Sequence, residues 1–421
     1  MQIRTITASE YEAFGKKQEN WTFLNSVEHG SFLSKGAWQI EYIGAYEKDQ
    51  LAAVSMIALL PSLKVFKYAY IPRGFLLDWK NESLIKDFSN ALKAYLKKKR
   101  VMYLSMNPYL SLQQRDKNGA VVEGGPNHFG ARKALMDSGW LHMSDGTNYS
   151  GAGDGFWMSV LDIKGKSMDQ LLKEMDQQTR WSINRAAKYD LIVRQAQSDE
   201  DYEAFQKLME HTGARNGFDP KSESYYKNFV ESYGDKADLL LCFMDIKRFV
   251  ASQQKIYDES NGQLQQVLEK LEAAPNNKKL LNKKKVLLEA MDLAQKKIEE
   301  AYALQKTHGD MILLAGSLFC KTEKELIYLF SGAYDEFFKY NAPYAIHYEE
   351  IKKAAESGMD TYNFYGISGN FQKGEEGYSL FDFKRGFGCT VVELLGDYIL
   401  PVKPVLFSLY KMAKPSMFAN E

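Results

Sequence analysis

A chain of 421 residues is predicted to fold as two α/β units of mixed sheet, with an antiparallel helical hairpin inserted in the second. Three observations predict it. The length exceeds what one ordinary core encloses. Strand-like and helix-like patterns run to about residue 150, pass a glycine-rich link at 146–155 and start again. Residues 255–306 break from both patterns, being rich in Lys, Glu, Gln, Leu and Ala with a single proline.

Residues 38–46 and 51–60 read as strands around the turn-prone Glu47-Lys48-Asp49-Gln50, and 66–71 alternates toward a stop at Pro72-Arg73-Gly74. Leu84, Ile85, Phe88, Leu92, Tyr95 and Leu96 recur at helical spacing behind a cap at Asn81 or Ser83. That helix ends in Lys97-Lys98-Lys99-Arg100, four cations at the negative end of its dipole. A strand at 102–106 stops at Asn107-Pro108, Gly124-Gly125-Pro126 marks a loop, and 131–138 is a short helix. In the second unit 156–163 and 191–195 are strands, and 168–176, 179–188 and 201–212 are helices. The sheet continues at 239–243 and from Val250, where it is interrupted.

The interruption has its own periodicity. Leu264, Val267 and Leu271 are three and four apart, and after Ala273-Ala274-Pro275-Asn276-Asn277 the series resumes as Leu280, Leu287, Met291, Ala294, Ile298 and Ala301. Proline and two asparagines between two such runs form the tip of a hairpin whose arms reach roughly 35–40 Å. Strands return at 311–319 and 326–330, then a helix at 345–357 and strands at 361–365 and 391–400. The expected boundaries are 1–150 for the first unit, 151–250 with 309–400 for the second, 251–308 for the arm, and a tail at 401–421 that packs back on the first unit.

Fifty-four basic residues balance fifty-four acidic ones, so any nucleic-acid binding must come from local patches. Cys242, Cys320 and Cys389 are too far apart for a disulfide framework or a CxxC-type zinc site and fit a reducing compartment. The first residues carry no secretory signal pattern, and the longest apolar stretch, 51–63, contains Ser55 and Pro61 and falls short of the roughly 20 residues a bilayer needs. A cytoplasmic protein is expected. The six histidines form no close pair and there is no HExxH, so no metal is expected. The chain also lacks a GxSxG elbow, a GxxxxGKS/T phosphate loop and a GxGxxG after a strand, which argues against hydrolase, kinase and dehydrogenase readings.

Several segments in order resemble the FemABX transferases of peptidoglycan bridges. They are Lys64-Val65-Phe66-Lys67-Tyr68 with Pro72-Arg73-Gly74-Phe75, Tyr103-Leu104-Ser105-Met106-Asn107-Pro108-Tyr109, and Thr179-Arg180-Trp181-Ser182-Ile183-Asn184-Arg185-Ala186-Ala187-Lys188. Ala342-Pro343-Tyr344-Ala345-Ile346, Tyr362-Asn363-Phe364-Tyr365-Gly366-Ile367-Ser368-Gly369 and Phe381-Asp382-Phe383-Lys384-Arg385-Gly386-Phe387 continue the series. The resemblance covers almost the full length, hairpin included. It implies two acetyltransferase-like (GNAT-like) domains. It also implies transfer of an amino acid, by family habit Gly, Ala or Ser, from aminoacyl-tRNA to the stem peptide of lipid II or of UDP-MurNAc-pentapeptide. An aminoacyl ester is already activated, so no cofactor is expected beyond aminoacyl-tRNA as co-substrate.

By the same resemblance Lys384 matches the catalytic lysine, where a cation would stabilise an oxyanion, and Phe383 packs beneath it. Asn107 stands where comparable members often carry an aspartate proposed as base, and a carboxamide cannot accept that proton. Lys221 and Tyr225 fall where the family holds the precursor's diphosphate and sugar, Lys35 near a second phosphate-binding lysine, and Phe330 where some members have a binding tyrosine. Arg180, Arg185, Lys188 and Arg194 form a basic cluster for tRNA or precursor phosphates, and the arm is a second candidate tRNA contact. The tail mixes Lys403, Lys411 and Lys414 with apolar residues, a candidate peripheral membrane contact at the inner leaflet. Two other readings stay open: a coenzyme-A-dependent acyltransferase on the same fold, for which Gln372-Lys373-Gly374-Glu375-Glu376-Gly377 has the wrong spacing, and a non-catalytic adaptor that binds through the arm.

Overall fold

The helices begin where short polar side chains take up orphaned amides. Asn81 accepts from the Leu84 N–H at the head of the helix Glu82–Lys98. Asp176 and Asp245 do the same for Gln177–Ala187 and Ile246–Ala273. The computed structural model describes residues 1–63, 65–144 and 156–414. Lys64, residues 145–155 with the glycine-rich link, and the tail beyond 414 therefore lie outside the described residues.

Two mixed sheets result. The first orders its strands Gln2–Thr5, Gln39–Glu47, Gln50–Pro61, Lys67–Ile71, Val101–Met106, Asp397–Pro401 and Leu141–Ser144. The second runs Ser111–Gln114, Thr390–Leu394, Trp157–Asp162, Thr361–Ile367, Glu325–Ala333, Met311–Lys321, Ala237–Asp245 and Ile192–Gln195. Each sheet has one parallel pair, Lys67–Ile71 with Val101–Met106 and Glu325–Ala333 with Thr361–Ile367. A helix crosses over between the partners in each case, Glu82–Lys98 in one and Ala342–Glu356 in the other.

The two units repeat the same order: a strand, two helices, three antiparallel strands, the crossover helix and a parallel strand. The first unit turns its hairpin with Lys48 and Asp49, both at positive φ as a two-residue turn of this kind demands. At the matching place in the second unit, between Ala237–Asp245 and Met311–Lys321, the chain inserts the arm. Its helices are Ile246–Ala273 and Lys278–His308, about 42 and 46 Å long at 1.5 Å per residue. Leu264, Val267 and Leu287 close its own small core, with Leu271, Leu280 and Met291 packed alongside. Val250 thus belongs to the first arm helix, and the arm begins at Ile246, not at 251, because Asp245 caps it there.

The expected strand at 391–400 is two strands. Gly396, at φ 104°, breaks it, and the halves join different sheets: Thr390–Leu394 the second and Asp397–Pro401 the first. Ser111–Gln114 crosses the other way, from the first half of the chain into the second sheet. Residues 150 and 400 are therefore not clean boundaries, since each unit lends the other a strand. The tail returns to the first unit, where Phe407 and Tyr410 of the helix Pro404–Ala413 pack on Met102, Tyr103 and Ile399.

Because an L side chain at Gly396 would be strained, Gly396→Ala is expected to lower stability by about 1–3 kcal/mol. Equilibrium denaturation measures it, and an unchanged midpoint would mean that the crossover tolerates another backbone conformation.

Candidate active site

Glu325–Ala333 and Thr361–Ile367 pair in parallel only from Glu325 to Ile327 and from Thr361 to Asn363, although both strands run on. On its other edge the second strand pairs with Trp157–Asp162 from Thr361 to Ile367, with an irregularity between Asn363 and Gly366, and within it Tyr365 adopts φ 62°. The divergence opens the sheet beside Gly366. There the helix Tyr378–Arg385 brings in Lys384, whose Nζ donates to the Gly366 carbonyl at 2.6 Å. Lys384 therefore sits on a helix and is only 3% exposed, so it is not an edge lysine. Burial pushes its pKa down to about 7, which leaves a large neutral fraction at physiological pH. Phe383 packs against Tyr344, His347 and Phe387. His347 donates to or accepts from the Tyr362 hydroxyl at 2.6 Å. Burial first, and then the Lys384 charge, hold its pKa down to about 3, so it stays a neutral imidazole.

Asn107 reaches the same place from the first unit. Its Oδ1 accepts from the Tyr70 hydroxyl at 3.0 Å and from the Arg73 amide at 3.1 Å. Those bonds fix the turn in which Arg73 takes φ 54°, and the Arg73 guanidinium donates to the Tyr365 hydroxyl at 2.9 Å. A continuous path thus joins the two units: Asn107, Arg73, Tyr365, and then Gly366, which holds Lys384. Both linking residues carry side chains in the left-handed region, where backbone strain accumulates at functional sites.

Beneath the path lies a polar group that sequence reasoning missed. The Tyr109 hydroxyl donates to Glu325 Oε1 at 2.7 Å, and Asn363 Nδ2 donates to the same oxygen at 3.0 Å. Burial raises the Glu325 pKa, while these two donors and the nearby Arg73 charge oppose the shift. Arg73 also lies over the Tyr109 and Tyr365 rings at 5.7 and 5.8 Å. The signal was thin: Tyr109, Asn363 and Tyr365 fall within segments of the family resemblance, but Glu325 opens an ordinary strand.

The remaining candidates fall into two groups. Tyr225 stacks edge-on against Phe32 and Phe330, with centroids 5.1 and 6.0 Å apart, and Lys221 lies 5.6 Å from the Tyr225 ring. Phe23 continues this aromatic surface to Tyr365, 6.4 Å away. Lys35 ends the neighbouring helix Val27–Ser34, and its Nζ meets Glu231 at 3.0 Å. Phe330 packs and offers no hydrogen bond. The basic cluster is smaller than expected. Arg194 is a bidentate partner of Asp201 at 2.7 and 2.8 Å, and Arg180 donates to the Met175 carbonyl that follows the helix Met168–Glu174. Arg185 instead lies over the exposed Trp181 ring, and Lys188 caps the end of the same helix. Sequence reading omitted the third member, Lys297 of the arm, whose pKa is lowered by burial and then by Lys188 and Arg185.

The FemAB family model matches residues 6–415. The chain belongs to the FemAB family. Aminoacyltransferase FemA of Staphylococcus aureus is 28% identical over 415 residues, covering 98% of each chain. A crystal structure of FemX superposes with a TM-score of 0.81 at 22% identity, over 97% of this chain and 99% of that one. A tandem GNAT protein from the clavulanic acid biosynthesis pathway gives 0.51 at 10% identity, over 96% and 99%. The duplicated mixed sheets of this FemAB-family chain are thus a tandem GNAT fold, and it is an acyl-transferring enzyme.

Tyr365→Phe removes one hydrogen-bond partner from the buried Arg73 guanidinium. It is expected to cost about 1–3 kcal/mol in chemical denaturation. A neutral result would show that the bond does not hold the units together.

Proposed function

We propose that the chain transfers an aminoacyl group, in the first instance Gly, Ala or Ser, from aminoacyl-tRNA to the stem-peptide amine of lipid II, building a peptidoglycan bridge. The observation that carries the reading is Lys384, a lysine buried into the pKa range of a neutral amine where two parallel strands part. The reaction needs no further cofactor, because the ester is the activated species. The acceptor amine attacks the ester carbonyl and must lose a proton. Asn107 cannot take it. Neutral Lys384 can, since a base works best with a pKa near the working pH. The ammonium so formed then faces the oxyanion, and it returns the proton to the ribose oxygen as the C–O bond breaks. Lys384 thereby serves as base first and cation second. Asn107 acts by holding the Arg73 turn.

Acceptor binding has to uncover Lys384. Lys221, Tyr225 and Lys35 are the proposed precursor contacts, with UDP-MurNAc-pentapeptide as the soluble alternative to lipid II; Lys35 would exchange Glu231 for a phosphate. The reaction lies at the inner face of the membrane, where such a lipid-linked acceptor is presented.

Purified protein is to be offered a panel of radiolabelled aminoacyl-tRNAs with lipid II and with the soluble precursor. Label is expected on the stem-peptide amine, and the rate should rise with pH through about 7 as Lys384 loses its proton. Lys384→Met and Lys384→Arg are both expected to lose at least about 10²-fold in kcat. An active Lys384→Arg would leave only the cationic role. Binding of acetyl-coenzyme A without aminoacyl transfer would replace the reading with the coenzyme-A alternative. Function that survives both substitutions but not loss of the arm would replace it with the adaptor.

Trp181, Arg185, Lys188 and Lys297 are the proposed tRNA contact. They bring three mutually close cations from the helix end and the arm together, one of them, Arg185, over an exposed indole. Changing the three cations to Gln is expected to flatten the slope of log K against log salt by about 2–3, read by filter binding. An unchanged slope would move the tRNA elsewhere.

A further inference from the structure

The last described helix, Pro404–Ala413, has two apolar faces. Phe407 and Tyr410 point inward, their rings 5.2 and 6.0 Å from Tyr103. Val405, Leu409 and Met412 point the other way and are 78%, 55% and 69% exposed. Their spacing of four and three puts them in one row along the helix. A second apolar group adjoins the row. Lys403 Nζ lies 5.6 Å from the Phe66 ring, which brings Phe66 beside the helix start, and its chain neighbours Leu63 and Val65 are exposed.

Along the helix and its flanks the charge has one sign. From Tyr398 to Lys414 the chain has no Asp or Glu, while Lys403, Lys411 and Lys414 lie at the start and end of the helix. This occurs in a protein of zero formal net charge. Aliphatic side chains with lysines at the margin match a bilayer interface, where the apolar groups enter the acyl boundary and the ammonium groups meet anionic headgroups. A nucleic-acid surface would make no use of the exposed aliphatic row. The helix is far too short to cross a bilayer, and no helix among the described residues is long and apolar enough to do so.

We propose that the helix Pro404–Ala413, with Leu63 and Val65, forms a docking face for an anionic phospholipid surface. For its role in the reaction, though not for its test, the inference rests on the proposed lipid-linked acceptor. Docking would hold the enzyme where that acceptor is presented. It needs no change in the fold, because the inward face of the helix is already packed.

The test is flotation of the full chain with vesicles of phosphatidylcholine alone or with about one third phosphatidylglycerol. Wild type is expected to float with the mixed vesicles and to be released by salt. The triple variant Val405→Asp, Leu409→Asp, Met412→Asp should lose binding at least about tenfold, and Lys403→Gln with Lys414→Gln should weaken its salt dependence. Circular dichroism and transfer to the soluble precursor are expected to be unchanged in the triple variant, since those side chains face solvent. Equal flotation of wild type and triple variant overturns the proposal. So does a wild type that ignores vesicles, including one that forms a dimer which the triple variant dissociates, for a second copy would then cover the face. A wild type that floats but transfers nothing to any acceptor leaves docking standing and refutes the acyl-transfer reading instead.

Discussion

Arg73 sets the terms for the rest of the molecule. Its guanidinium is 1% exposed, in the seam between the two units. A buried charge is tolerated only where hydrogen bonds and opposing charge replace water. Here the second unit supplies part of that replacement, the Tyr365 hydroxyl and ring face and the field of Glu325, and Tyr109 of the first unit adds a second ring face. Separating the units would strand the cation. The same bond fixes Tyr365 beside Gly366, and Gly366 holds Lys384. The environment that depresses the Lys384 pKa is thus tied, through three residues, to a turn in the other sheet.

Strand exchange acts in the same direction. Ser111–Gln114 and Asp397–Pro401 each complete the sheet of the opposite unit, so the seam is crossed by backbone ladders as well as by side chains. A duplicated fold whose halves met only through side chains would be free to rock. These halves share hydrogen-bonded strands. The duplication also explains where the arm could be inserted. A hairpin turn is the place where a sheet tolerates added chain, because both strand ends are already adjacent and exposed. The first unit keeps that turn at Lys48-Asp49, and the second replaces it with two long helices that pack on each other.

Much of this was legible in the sequence, for physical reasons that differ by element. Local periodicity was enough for the helix from Glu82 to Lys98 and for the arm, whose buried Leu264, Val267 and Leu287 are members of the expected series. It failed at 391–400, where apolar residues on both sides of Gly396-Asp397 concealed the change of sheet, since both halves are largely buried strands. It also failed for Lys384, whose helix is only eight residues long and begins after Gly377 without a side-chain cap. The seam was beyond reach. Arg73 and Tyr365 are 292 positions apart, and the chemistry of Glu325 arises only from the groups that fold around it. Arg180 and Arg194 fail in the reverse sense: their type suggested phosphate, but each is used by carbonyls or a carboxylate at home.

Asn107 and the buried Lys384 are linked through the seam and not by contact. Asn107 carries no charge and reaches the lysine only through Arg73, Tyr365 and Gly366. Desolvation prevails at Lys384 and brings its pKa to about 7. The carboxamide accepts from Tyr70 and from the Arg73 amide, and in the proposed reaction proton transfer falls to the lysine. A reaction that starts from an activated ester can be served by such an arrangement, because it asks for one proton to be moved and returned and for one transient negative charge to be met. In the proposed reaction a single buried amine does both in turn, provided that the rest of the seam holds it where the strands diverge.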